Sequence, residues 1–262
     1  MPIVPMLFML LWTHGCSTTR DSLNSGLPSR HAMKGQQVLL LSDGNADRND
    51  EVLEELERVR GQVMELLSIP ASDREVVVYL FSDDQRYATY MKKKHPSLPS
   101  RRAFFIGTPR ELSVYAFWGD QTMVDLRHEY THGFLHSTIG HVPLWVDEGL
   151  AEYFEVGSRV AGGVNGEHLT RLKAAAANGW RPDIRRLEQL ESVDQMQRAD
   201  YQEAWLWIHF LMHEAPQGRR LLSEYLNDLR LHRPAATLAE RIQKEHPDAE
   251  TGLVDYLLRL SA

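Results

Sequence analysis

The chain has 262 residues, a formal net charge of −7, and 43% hydrophobic against 25% charged residues, an ordinary globular balance that excludes collagen-like, coiled-coil and largely disordered architectures. The acidic balance argues against nucleic acid as a partner, and short basic runs such as Lys92-Lys93-Lys94 and Arg101-Arg102 read as solvated faces. A single cysteine, Cys16, excludes an intramolecular disulfide and a thiolate-built zinc site, whereas 12 histidines leave an imidazole-built metal site open.

Residues 3–12 are almost wholly apolar. A run of that length cannot cross a bilayer as a helix, which needs about 20 residues, but it suits the core of a secretory signal. Gly15-Cys16 directly after it resembles the lipobox of bacterial lipoproteins, in which the cysteine is lipidated. Residues 1–16 are therefore expected to be a signal peptide or lipoprotein signal. Export to the periplasm or cell envelope follows, with membrane attachment through a lipid on Cys16; the alternative is a simple signal, or a mis-called start, with Cys16 incidental. Residues 17–35, rich in Ser, Thr, Gly and Arg with little periodicity, read as a flexible tether to a folded body over 36–262.

Within that body, 37–41 is a short apolar run expected as a buried strand. Over 50–67, Val52, Leu56, Val59, Val63, Leu66 and Leu67 recur at helical spacing, and Pro70 follows. The β-branched and aromatic stretch 75–81 reads as a strand, 83–94 as a helix, and 102–107 and 111–118 as two strands about a turn at Thr108-Pro109. From Thr122 the pattern is helical, with candidates at 122–137, 144–156, 168–178, 200–213, 217–231, 235–245 and 249–260 and a helical C-terminal part from about 165. Strands followed by helices, without βαβ alternation, predict an α+β fold.

His128-Glu129-Tyr130-Thr131-His132 places two imidazoles four residues apart, on one face of a helix, where both can reach one ion. Glu129 stands where a carboxylate can act as general base on water. The alternative, two histidines on a solvated face, is disfavoured by Val124, Leu126, Tyr130, Phe134 and Leu135, which make this helix mostly buried, where unpaired polar groups are costly. The next helix offers Glu148 as a third ligand and Glu152 one turn beyond it; alone, the pair would read as an ordinary acidic face. His136 lies too far along the axis to share the ion and reads as a pocket residue. His141, His209 and His213 read as satisfied or solvated.

The string Trp145-Val146-Asp147-Glu148-Gly149-Leu150-Ala151-Glu152-Tyr153, following H-E-x-x-H after a short loop, resembles the gluzincin zinc peptidases, the peptidase MA-like superfamily of thermolysin and the aminopeptidases. It is closer still to exported bacterial MA-like proteins of unassigned substrate. The metzincin branch does not fit, because Leu135 and Thr138 occupy the positions where that pattern wants Gly and His. The resemblance implies a zincin-like domain: a small twisted sheet packed on the metal helix, with a C-terminal helical subdomain closing the cleft. It implies one Zn2+ per chain on His128, His132 and Glu148, Glu129 as catalytic base, and Glu152 orienting a ligand histidine. Tyr201 resembles the oxyanion-stabilising tyrosine of a Tyr-x-x-Ala-Trp segment, the alternative being an aromatic that packs at a helix start; His168 is next in line. Substrate is expected along the strand edge at 113–118. The implied function is zinc-dependent hydrolysis of peptide bonds in a peptide or protein. The rivals are a zinc amidase acting on cell-wall peptides and a non-catalytic exported zinc-binding scaffold.

Overall fold

The computed structural model describes residues 26–44, 46–157, 162–233 and 236–261. The expected signal, Cys16 and the start of the expected tether lie outside them. The N-terminal half forms strands β1 (His31–Lys34), β2 (Val38–Ser42), β3 (Val76–Phe81), β4 (Phe104–Gly107) and β5 (Leu112–Phe117), with helices α1 (Ala46–Leu67) and α2 (Asp84–Lys94) between them. They make one mixed sheet of order β1-β2-β3-β5-β4, in which β2, β3 and β5 run parallel and the edge strands β1 and β4 pair antiparallel.

Two expectations are corrected here. The segment read as tether ends in strand β1, whose mixed residues His31-Ala32-Met33-Lys34 show no period because an edge strand is only half covered. The absence of βαβ alternation is also wrong: α1 is a crossover between the parallel neighbours β2 and β3. The class remains α+β because no strand follows β5 among the described residues.

One face of the sheet packs on α1, whose Val52, Leu56, Val59, Val63 and Leu67 are buried together with Val76, Val78 and Leu80. The other face carries a separate cluster of Tyr79, Phe81, Tyr87, Met91 and Tyr115 under α2.

The C-terminal half is helical: α3 (Thr122–Thr138), α4 (Leu144–Glu155), α5 (Gly166–Ala177), α6 (Ile184–Glu188), a 3-10 turn (Val193–Gln195), α7 (Arg198–His213), α8 (Gly218–Arg230), α9 (Leu238–Glu245) and α10 (Ala249–Arg259). α6 and the 3-10 turn had no signal in the periodicity, being shorter than two helical turns. Among the described residues no helix is long and apolar enough to cross a membrane.

α3 lies on the sheet, its Leu126, Tyr130 and Phe134 wholly buried. It stops at Ile139-Gly140, where Gly140 takes φ +84, the left-handed conformation that ends many helices. The loop to α4 is therefore short. α4 is fixed from two sides: the buried Trp145 donates its indole N–H to Glu188 Oε2 at 2.8 Å, and Gly149 lets the helix press against α7. A Cβ on Gly149 would stand 2.7 Å from the Ala204 carbonyl oxygen. α5 begins two residues earlier than expected because the Asn165 side chain caps it, accepting the Glu167 and His168 amides.

Candidate metal centre

α3 presents His128 and His132 on one face, and α4 brings Glu148 against them. The two Nε2 atoms are 3.2 Å apart, and Glu148 Oε2 lies 3.5 Å from His128 Nε2 and 3.6 Å from His132 Nε2. A tetrahedral ion with bonds of about 2.0–2.1 Å holds its donors about 3.3 Å apart. The triangle therefore has the size that one small ion requires. Glu148 Oε2 is buried without a hydrogen-bond partner, an arrangement that is costly unless a cation completes it. Two imidazole nitrogens and one carboxylate oxygen form a group able to hold a metal ion.

The outward nitrogens of both histidines meet carboxylates. Glu155 Oε2 lies 3.0 Å from His128 Nδ1, and Asp147 Oδ2 lies 2.9 Å from His132 Nδ1. Such partners select the tautomer that leaves Nε2 free to ligate. Asp147 Oδ2 is also 3.0 Å from His136 Nε2, and His136 Nδ1 donates to the Gly140 carbonyl at 2.7 Å. His136 thus braces the carboxylate behind His132 and takes no place in the triangle.

Glu152 does not orient a ligand histidine. Its Oε2 meets His168 Nε2 at 2.8 Å, while Glu155, one turn further along α4, reaches His128 and receives an amide proton from Asn165 at 3.3 Å. His128, Glu152 and Glu155 form a second group of metal-ligating type. Its carboxylates are already engaged by His168, Asn165 and His128, so the Glu148 set has the uncommitted lone pairs.

The electrostatics agree with this division. Burial alone would lower both ligand histidines; Glu148 and Glu155 instead hold His128 well above its usual value, and Asp147 and Glu148 pull His132 up to about 10. Burial would raise Glu148, but His132 and His128 keep it well below the usual carboxylate range. Asp147 is likewise lowered against its burial by His132 and His136. The cage attracts positive charge, whether protons or a metal ion.

Glu129 follows His128 on α3 and turns to the sheet, where its Oε2 accepts the Phe105 backbone N–H at 2.6 Å. This N–H belongs to β4, the true edge of the sheet. The expected substrate edge at 113–118 is instead β5, paired on both sides by β3 and β4. The Phe105 ring stacks near His132 and His136, with centroids 6.3 and 5.4 Å away.

Two cavities flank the triad. One of about 750 Å³ is polar and includes Glu152, Glu155, His168 and Tyr201 in its wall. The other, of about 420 Å³, is lined by Leu98, Phe104, Phe105, Leu144 and Val193 beside His132 and Glu148. Tyr201, near the start of α7, has a buried hydroxyl; burial, with Glu148 adding to it, raises its pKa against the opposing pull of the neighbouring Arg101 and of His128. His168 lines the same cavity; its Nε2 is engaged by Glu152, and its Nδ1 is buried without a hydrogen-bond partner.

Of the remaining histidines, His141 is exposed. His209 Nδ1 meets the Tyr256 hydroxyl at 2.6 Å and His213 Nε2 meets Tyr153 at 2.9 Å, so both belong to the packing behind α4.

Sequence reasoning missed Asp147, Glu155 and the Phe105 amide. Asp147 directly precedes Glu148, and Glu155 lies two turns beyond it on the same face, a spacing that could have found the latter. The Phe105 amide leaves no trace in side-chain patterns.

No curated protein matches this chain. Residues 124–235 match a family described as "Protein of unknown function (DUF1570)", a span that contains His128, Glu129, His132, Glu148, Glu152 and Tyr201.

Proposed function

We propose that the protein is a zinc-dependent metallopeptidase of gluzincin type, with a zincin-like catalytic domain, acting on a peptide or protein in the cell envelope. The observation that carries this reading is the triangle of His128, His132 and Glu148, with edges of 3.2, 3.5 and 3.6 Å, next to a glutamate on the same helix. Two imidazoles and a carboxylate suit Zn2+ best. When bound, zinc polarises a substrate carbonyl and lowers the pKa of water towards about 7.

The chain's own residues supply the rest. Glu129 is steadied through one oxygen by the Phe105 amide. Its other oxygen accepts the proton of the attacking water and passes it to the leaving amine. The buried Tyr201 hydroxyl donates to the developing oxyanion. The edge of β4, apart from the Phe105 amide that Glu129 holds, takes an extended peptide as a further strand.

The Phe105 amide also gives Glu129 a structural role, which favours the non-catalytic scaffold as the second reading. Glu129→Gln separates the two, since a glutamine oxygen can accept the same N–H without serving as a base. The test is metal stoichiometry and peptide hydrolysis on protein purified without chelator. Wild type is expected to hold close to one zinc per chain, Glu148→Ala to lose it, and Glu129→Gln to keep zinc while cleaving nothing in a peptide library. A folded wild type that refuses added zinc overturns the reading; zinc binding without hydrolysis by the wild type selects the scaffold.

A further inference from the structure

Three residues line both cavities: His128, Glu129 and Arg101. The first two belong to the proposed machinery. Arg101 comes from the loop before β4 and shares their position at the waist of the cleft. Its guanidinium carbon lies 5.9 Å from the centre of the Phe104 ring, a contact that places it without neutralising it.

The other arginines at the cleft are spent on acids of the fold. Arg102 grips Asp125 with both nitrogens, at 2.7 and 3.0 Å, and Arg198 is paired with Glu167. Among the described residues, Arg101 is the one cleft arginine with no carboxylate within 4.0 Å. It has no acid partner beside a wall that holds Glu129, Glu152 and Glu155, each already engaged elsewhere, and it stands next to the Tyr201 hydroxyl. A guanidinium is a bidentate donor whose planar fork fits a carboxylate.

We infer that Arg101 is a substrate-selecting residue that binds a peptide carboxylate close to the scissile bond. The carboxylate is either the C-terminal group or an Asp or Glu side chain. The apolar cavity beyond the waist, walled by Leu98, Phe104 and Leu144, takes an apolar side chain on the opposite side of that bond. The substrate class is thus an acidic or free-C-terminal peptide with a neighbouring apolar residue. This rests on the peptidase reading and adds substrate choice to it.

The test reads binding as well as turnover. Zinc-loaded Glu129→Gln protein is exposed to a hexapeptide library in four forms: free or amidated C-terminus, with Asp and Glu or with Asn and Gln. Retained peptides are quantified by mass spectrometry. Carboxylate-bearing members should be retained at least 10-fold over their amides, and the form that carries the preference identifies the C-terminus or the side chain as its source. Adding Arg101→Gln should abolish the preference while zinc stoichiometry stays unchanged, and Arg101→Lys should restore part of it. Equal retention of acid and amide forms, no retention of either, or a preference that survives Arg101→Gln overturns the inference. Hydrolysis of the same library by the zinc-loaded wild type is scored separately, so failure of the peptidase reading is distinguishable from failure of the Arg101 assignment.

Discussion

Gly149 permits a test in which one substitution, made in two helices, should act with opposite sign. It lies within α4, beside Glu148, and a Cβ there would meet the Ala204 carbonyl oxygen at 2.7 Å, Ile208 Cγ1 at 2.8 Å and the Ala204 carbonyl carbon at 3.0 Å. The nearest atom belongs to the backbone of α7 and cannot swing away, so α4 and α7 must separate by about 0.7 Å to restore ordinary contact. Alanine in a helix interior gains about 0.5–1 kcal/mol over glycine, whereas overpacking a close contact costs about 1–3 kcal/mol. The second effect wins, and Gly149→Ala should lose about 1–2 kcal/mol. For a domain of this size that lowers Tm by about 3–6 °C. The displacement also moves Glu148, so zinc affinity should fall by about tenfold. Gly61, exposed on α1, has nothing within 4 Å of the equivalent Cβ, so Gly61→Ala should keep the helical gain and raise Tm by about 2 °C. Chemical and thermal denaturation of both variants, with zinc titration in competition with a chromophoric chelator, would measure these effects. A Gly149→Ala protein as stable as Gly61→Ala, with undiminished zinc affinity, would refute the claim that the α4–α7 contact positions the third ligand.

Asp147→Asn removes the charge behind His132 and should weaken metal binding by about 10–100-fold with the fold intact, measured by chelator competition; unchanged affinity would assign the orienting role elsewhere. His209 is held down to about 4 by burial and by His213, against an ordinary value of 6.5. The unfolded chain therefore takes up a proton that the folded state refuses, so the contribution of order 2–3 kcal/mol is complete above pH 6.5 and is lost as the pH falls towards 4. Urea unfolding at pH 7 and 4.5 should show this loss in wild type and a flatter acid limb in His209→Gln. Arg186→Met leaves the buried Asp200 and Glu203 without their cation and should cost about 2 kcal/mol, less at pH 5 than at pH 8 because protonating Glu203 relieves it; equal loss at both pH values would refute the electrostatic account.

The features legible in the chain are those whose cause is local. The apolar stripe of α1 and the shared face of His128 and His132 follow from helical geometry alone. That geometry also puts Glu148, Glu152 and Glu155 on one face of α4, but it cannot say which carboxylate meets which imidazole. That choice depends on how α4 lies across α3, set by Trp145 on Glu188 and by Gly149 on Ala204, contacts between segments far apart in the chain. The choice of edge strand escaped for the same reason: 104–107 and 112–117 read alike as strands, and only the parallel pairing of β3 with β5 pushes β4 outward. β1 was hidden by its half-exposed position, where no alternation is imposed.

The bond between Glu129 and the Phe105 amide has a consequence for solubility. β4 closes one side of the sheet, and an open strand edge invites the edge of another molecule to add to it. By capturing one outward N–H, Glu129 removes a donor that such an addition would use. The carboxylate thereby guards the sheet against self-association. Replacing it with alanine would uncover the amide, and a preparation of that variant should form aggregates that the glutamine variant does not.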